Sequence, residues 1–247
     1  ATRTPSPVDD DTRVNLGAFP GPRSLPAVVY AEGNPDFVSE DLLAYELGYR
    51  GQVTRALSMD VASYYNVYGN LRGSVPGRPS IAAAGRTPYI LIPLNIVNNL
   101  YGRTYGIEAS LDWNVARYWS IQPGYASFAG VLHEITAPAG FPGVSDVFQA
   151  LGDNPRNQFQ IRSNLDLPHR FQFDTNLYYV DRLVSQNVPA YTRLDAQLTW
   201  KTAESLEVSI VGQNLLTPRH MEFNGPEDLV LSTEIPRSAY LKLTWRF

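Results

Sequence analysis

From Ala239 to Phe247 the side chains alternate without a break, Ala239, Leu241, Leu243, Trp245 and Phe247 against Tyr240, Lys242, Thr244 and Arg246. Successive residues of a strand point to opposite faces, so this segment has one apolar face and one polar face. The same period recurs upstream. Leu43, Tyr45, Leu47 and Tyr49 alternate with Ala44, Glu46, Gly48 and Arg50, and Leu57, Met59, Val61, Ser63, Tyr65 and Val67 with Ser58, Asp60, Ala62, Tyr64 and Asn66. A strand is predicted from about Tyr89 to Val115, with Ile107, Ala109, Leu111 and Trp113 opposite Glu108, Ser110, Asp112 and Asn114. Trp119–Ile135 follows. Phe159, Ile161, Ser163, Leu165 and Leu167 then oppose Gln158, Gln160, Arg162, Asn164 and Asp166. Phe171, Phe173, Thr175, Leu177 and Tyr179 oppose Gln172, Asp174, Asn176 and Tyr178, and Tyr191–Lys201 and a strand led by Leu206, Val208 and Ile210 complete the set. The pattern predicts nine strands, with residues 1–5 as the end of a tenth.

Between them lie Gly- and Pro-bearing stretches that read as loops: 1–41 (with a short hairpin at Ala27–Tyr30), Gly69–Pro88, Thr136–Arg156, Leu183–Pro189 and Leu216–Glu234. Tight turns near 51–56, 115–118, 168–170 and 202–205 alternate with these longer connections. An apolar face on every strand needs a cover. In an outer-membrane barrel lipid covers it, the polar face lines a wet lumen, periplasmic turns are short and extracellular loops long. That rhythm puts the last strand's end on the periplasmic side, where Trp113, Tyr118, Trp119, Phe171, Trp200, Trp245 and Phe247 gather as an interfacial girdle would.

Composition agrees. The 247 residues suffice for one large all-β domain, and 15 Tyr and 4 Trp suit rings with one apolar and one wet end. No apolar run is long enough for a membrane-spanning helix. A net charge of −4 offers no basic stripe for nucleic acid, and zero cysteines exclude disulfides and thiolate chemistry. The chain opens on Ala1 with no basic-then-apolar leader. A secreted membrane protein needs one, so the expectation is that it was processed off or that the chain starts within a longer protein.

Four segments in order carry a family resemblance. Asn34-Pro35-Asp36-Phe37-Val38-Ser39-Glu40, followed by Tyr45-Glu46-Leu47-Gly48-Tyr49-Arg50, resembles the loop-to-strand motif of TonB-dependent outer-membrane receptors. Thr104-Tyr105-Gly106-Ile107-Glu108 is similar to a later strand of that family, Val211-Gly212-Gln213-Asn214-Leu215-Leu216 to its penultimate strand, and Ala239–Phe247 to its terminal strand. The resemblance implies the C-terminal part of a larger antiparallel transmembrane barrel, 1–41 an extracellular loop with the end of a preceding strand and 42–247 barrel wall. It further implies a parent that takes up a scarce nutrient, most often a ferric siderophore, with vitamin, metal or glycan cargo as alternatives. Its implied partners are outer-membrane lipid and lipopolysaccharide, a plug domain, an energy-coupling protein, and assembly machinery that reads Leu241, Leu243, Trp245 and Phe247.

Candidate residues fall into two sets. Glu46, Arg50, Asp60, Glu108, Asp112, Arg162, Asp166 and Asp174 lie on the polar faces and are expected to face the lumen, hydrated or against plug or substrate. Arg72, Arg78, Arg86 and Arg103, with Tyr89 and Tyr101, lie in or near outer loops, where guanidinium forks and rings suit an anionic or aromatic ligand or lipopolysaccharide phosphate. Asp9, Asp10 and Asp11 read as a solvated run before a calcium site. His133-Glu134 and His220-Met221-Glu222 do not amount to the three or four convergent ligands of a metal centre. No catalytic or cofactor motif stands out. Two rivals remain: a small self-contained barrel, which Ala44, Gly48, Ala62, Gly124 and Ala126 on the inward faces would leave underfilled, and a soluble carbohydrate-binding sandwich.

Overall fold

The computed structural model describes residues 1–135, 151–225 and 232–247. The described residues are mostly strand: β1 (Thr2–Arg3), β2 (Arg13–Pro20), β3 (Pro26–Glu32), β4 (Glu40–Thr54), β5 (Leu57–Pro76), β6 (Ser80–Ala84), β7 (Thr87–Ala116), β8 (Trp119–Glu134), β9 (Asn157–Leu167), β10 (Phe171–Val180), β11 (Tyr191–Ala203), β12 (Leu206–Gln213), β13 (Arg219–Phe223), β14 (Thr233–Pro236) and β15 (Ser238–Trp245). A short helix, α1, spans Pro7–Asp10. The main sheet runs β1-β4-β5-β7-β8-β9-β10-β11-β12-β15, and among the described residues β15 does not pair with β1. The nine alternating strands read from sequence are all on this path, and β1 takes the place of the tenth.

The register keeps like faces together. Trp200 and Leu167 flank Phe171, and Leu198 and Leu165 flank Phe173. Leu241 and Leu243 pair with Ile210 and Val208. On the other face Gln122, Arg162, Asn176 and Asp195 make one cross-strand row. Pro123, awkward within a ladder, sits opposite Ile161 in β8. The apolar face is bare: Leu47, Leu241, Leu243 and Trp245 are 77, 75, 68 and 69% exposed. Those side chains are therefore not the inside of a dry sandwich.

Three loop readings are corrected. Residues 1–41 contain a full hairpin, β2 with β3, not a short one at Ala27–Tyr30, and β3 runs parallel to β7 with Ala27 beside Ile90 and Val29 beside Ile92. Gly69–Pro88 is the continuation of β5 plus β6, which pairs antiparallel with the start of β7. Gly73 marks close packing rather than a turn, because a Cβ there would run into the Asn99 carboxamide. Leu216–Glu234 holds β13, which pairs with β14. Most of the loop expected at Thr136–Arg156, and 226–231 of the last one, lie outside the described residues.

The chain divides into two compact units. The first takes 1–45, 66–104 and the residues from 130, and the second takes 46–65, 105–129 and the residues from 151. The first buries Ala27, Tyr30, Phe37, Ile92, Ile96 and Leu100. The second buries mainly polar groups, among them Thr199, Ser209, Asn214 and His220. Some of these groups satisfy one another, as the Thr199 and Ser209 hydroxyls do at 3.0 Å.

Candidate functional site

All eight residues expected to face the lumen fall in the second unit. Arg50 on β4 donates from Nε to Asp60 on β5 at 2.7 Å, and its Nη2 reaches the same carboxylate oxygen. Across an antiparallel pair opposite charges on one face are neighbours. Arg50, Asp60 and Glu108 line one recess of about 490 Å3 with Gln158, Gln160 and Tyr178. Arg162 and Asp174 line another of about 450 Å3, rich in carboxamides from Gln122, Asn164, Asn176 and Gln197. Gln172 donates to Asp174 at 3.1 Å. Glu46, Asp112 and Asp166 are exposed and line neither recess.

The six outer candidates fall in the first unit. Arg72 is engaged, its Nε 3.4 Å from Asp9. Arg78 is exposed between β5 and β6, and Arg86 is exposed in the β6–β7 turn. Tyr89 is half-buried at the start of β7, Arg103 is exposed further along it, and Tyr101 stacks on His133 with centroids 5.3 Å apart.

Sequence reasoning missed two clusters. In the first unit Asp9, 1% exposed, accepts from Arg3 Nη1 at 3.0 Å and from the Ser6 backbone and hydroxyl at 2.9 and 2.8 Å. Glu40 accepts from Arg3 Nε at 2.6 Å and from the Arg72 backbone N–H at 2.6 Å. Asp9 is thus a buried anchor and not part of a solvated run. Its Arg3 hydrogen bond holds the carboxyl well below the usual range, helped by Ser6 and opposed by burial. The visible signal was Ser6-Pro7-x-Asp9, a helix-start pattern.

The second cluster surrounds Asn214, which is fully buried at a positive φ of 53°. Its N–H donates to Asp195 Oδ1 at 2.9 Å, its Nδ2 to the Ile235 carbonyl at 2.9 Å, and its Oδ1 accepts from Thr217 at 3.0 Å. Arg193 grips Asp195 through Nε and Nη2, at 3.0 and 2.7 Å. Such forked contacts fix geometry as well as charge. Glu222, 3.7 Å from Arg193, closes a recess of about 180 Å3 with Tyr178, Val180, Tyr191, Arg193 and Asp195.

A family model described as TonB dependent receptor-like, beta-barrel matches residues 2–215. Among solved structures the chain is similar to a mutant ferric enterobactin receptor from Pseudomonas aeruginosa, with 16% identity, TM-score 0.61, and 89% of this chain against 33% of that one. It is similar to the ferric yersiniabactin uptake receptor of Yersinia pestis, with 18% identity, TM-score 0.59, and 95% against 33%. A copper transporter matches at 11% identity and TM-score 0.63 over all of this chain and 37% of that one. The chain spans about a third of the length of these structures.

Proposed function

Because this chain belongs to the TonB-dependent receptor β-barrel family, we propose that it forms wall and outer loops of a receptor that takes up a ferric siderophore across the outer membrane. The outer-membrane location and the barrel fold follow from the family. The family match over residues 2–215 is the observation that carries the reading, and the bare apolar face supports it, since lipid is the cover such a face needs. In this reading 1–41 is extracellular loop with the end of a preceding strand, and 42–247 is wall. The eight polar-face residues meet a plug domain or passing substrate, lipopolysaccharide meets the outer loops, and the assembly machinery reads β15. The receptor works by binding and passage, driven through the plug by the energy-coupling protein, and not by catalysis.

A siderophore is favoured because several of the similar structures are siderophore receptors by name, and because exposed Arg78, Arg86 and Arg103 suit an anionic chelate. Copper is the second reading, on the strength of the copper transporter match. The test is uptake of radiolabelled ferric siderophores and of copper by cells carrying the receptor, against cells lacking it. Receptor-dependent ferric uptake that falls about tenfold or more when Arg78, Arg86 and Arg103 are all changed to Ala supports the reading, the loss being that of several charge-assisted contacts. Receptor-dependent copper uptake without any ferric siderophore uptake would replace it with the second.

A further inference from the structure

Four hairpin turns stand at one end of the main sheet, joining β4 to β5, β7 to β8, β9 to β10 and β11 to β12. Each carries or adjoins a cation: Arg55, Arg117, Arg170 and Lys201 in turn. All four are exposed, and none makes an ion pair with a described residue. A fifth cation at this end, Arg246, is held by Glu207 at 3.0 Å. Five cations thus meet two carboxylates in and beside the turns, Glu204 and Glu207, while Asp112 and Asp166 stand a few residues further up the polar face.

Backbone hydrogen bonds tie this rim together. The Asn114 N–H donates to the Ala56 carbonyl, the Asp166 N–H to the Tyr118 carbonyl and the Arg246 N–H to the Ser205 carbonyl, each at 2.8 Å. Phe171 stacks on Trp200 with centroids 5.8 Å apart, linking the last two turns. Rings stand beside the cations: Tyr118 follows Arg117, Phe171 follows Arg170, and Trp200 precedes Lys201. The turn of Arg55 is bonded to Asn114, the neighbour of Trp113. Trp113, Tyr118 and Trp200 are exposed. Such rings settle at the headgroup level of a membrane. Long basic side chains next to them reach the charged layer while their stems stay on apolar surface, and a guanidinium fork matches phosphate oxygens. Successive turns are two strands apart, about 10 Å at the usual strand spacing. Cations spread singly at that interval suit separate monoanionic headgroups rather than one polyanion.

We propose that this rim binds anionic phospholipid headgroups, with a phosphate at each of Arg55, Arg117, Arg170 and Lys201. The proposal rests on the barrel reading above, which sets the short turns at the periplasmic leaflet. It goes beyond that reading because an apolar cover needs no particular headgroup, whereas unpaired cations at the aromatic level select a negative one. It does not depend on which ligand the receptor carries.

The test refolds the intact receptor into vesicles of phosphatidylcholine mixed with phosphatidylglycerol and counts the lipids it retains by native mass spectrometry. Phosphatidylglycerol should be favoured roughly fivefold per site, the preference that one cation gives near a membrane surface. Arg55→Gln, Arg117→Gln, Arg170→Gln and Lys201→Gln together should abolish the preference. Arg156→Gln with Arg182→Gln, exposed at the other end of β9 and β10, should leave it intact. Should the combined rim variant fail to assemble, Arg55→Gln with Arg117→Gln should still lower the phosphatidylglycerol retained, and an unchanged count overturns the proposal. Inorganic phosphate should not displace the lipid; displacement marks a general anion site and overturns the assignment to a membrane. A receptor that enters the vesicles and retains both lipids alike overturns this proposal alone, as does a preference that survives the combined rim change. A receptor that does not enter the vesicles overturns the barrel reading with it.

Discussion

Asp9 and Asn214 each do the work of several loop residues. Asp9 is nearly inaccessible yet charged, which is tolerable only because Arg3, Arg72 and Ser6 surround it. Asp9→Asn keeps the shape and removes the charge, and it should loosen the first forty or so residues by about 1–3 kcal/mol, the range for hydrogen bonds to charged groups. Faster amide exchange across β2 and β3 in the intact receptor would report it. The pH dependence has a definite sign. The folded-state pKa is depressed, so the stabilisation is fully present above the ordinary carboxylate range and is lost as pH falls through the lower folded value. Exchange in this segment should therefore rise only below about pH 4, and the Asn variant should lack that rise. Asn214 joins a left-handed backbone to three hydrogen bonds. Asn214→Gly keeps the backbone and loses the side-chain bonds, whereas Asn214→Ala also pays roughly 1 kcal/mol or more for its φ. Chemical-denaturant unfolding in detergent should rank Asn above Gly and Gly above Ala, and Ala at or above Gly would show that the backbone is not strained there.

Elements were legible where they were long and alternating. β4, β9, β10, β11 and β15 announce themselves because one face meets a cover and the other water, which imposes a period of two. β2, β6, β13 and β14 were not legible, and β3 only as a short hairpin at Ala27–Tyr30. β6, β13 and β14 are four or five residues long, and β2, β3 and β14 end or begin at Pro20, Pro26 and Pro236, so none carries a long alternation. The parallel β3–β7 pairing also leaves no local mark, because its partners lie far apart in sequence. Glycine also misled. Gly69 and Gly73 read as loop but lie within β5. Gly106 is a point of close approach, where a Cβ would meet the Ser127 carbonyl and the Tyr64 hydroxyl. Beside it Thr104 is buried against Tyr68 at 3.2 Å, and Tyr105 stacks on Tyr65 at 6.4 Å. The motif that carried the resemblance is thus packing. Gly106→Ala should destabilise by about 1–3 kcal/mol, as overpacking against backbone does, with a lower thermal midpoint and no change in membrane targeting. Of the candidate site, the period of two alone sorted the charged positions onto the face opposite the apolar one. It missed the Asp9 and Asn214 clusters because their members are brought together by turns.

At the scale of the whole molecule, the question is which face of the sheet meets lipid, and β15 allows it to be put with one strand. Leu241, Leu243 and Trp245 are exposed on one side with Ile210 and Val208 as cross-strand partners of the first two, and Tyr240 pairs with Val211 on the other. An arginine on a lipid-facing strand position costs about 2–4 kcal/mol at the bilayer midplane and about 0–1 near the interface. The chain rises roughly 3.3 Å per residue along the strand, so the penalty should fade along one face. Leu241→Arg should be the costliest, Leu243→Arg intermediate and Phe247→Arg nearly neutral, whereas Tyr240→Arg should cost little because a wet lumen hydrates the charge. Urea titration of the receptor refolding into phospholipid vesicles measures these differences without the cellular assembly machinery, which separates the lipid cost from any role of the terminal aromatic in recognition. A reversed pattern, with Tyr240→Arg costly and Leu241→Arg tolerated, would turn the sheet inside out, and with it would go the assignment of Arg50, Asp60, Arg162 and Asp174 to the lumen.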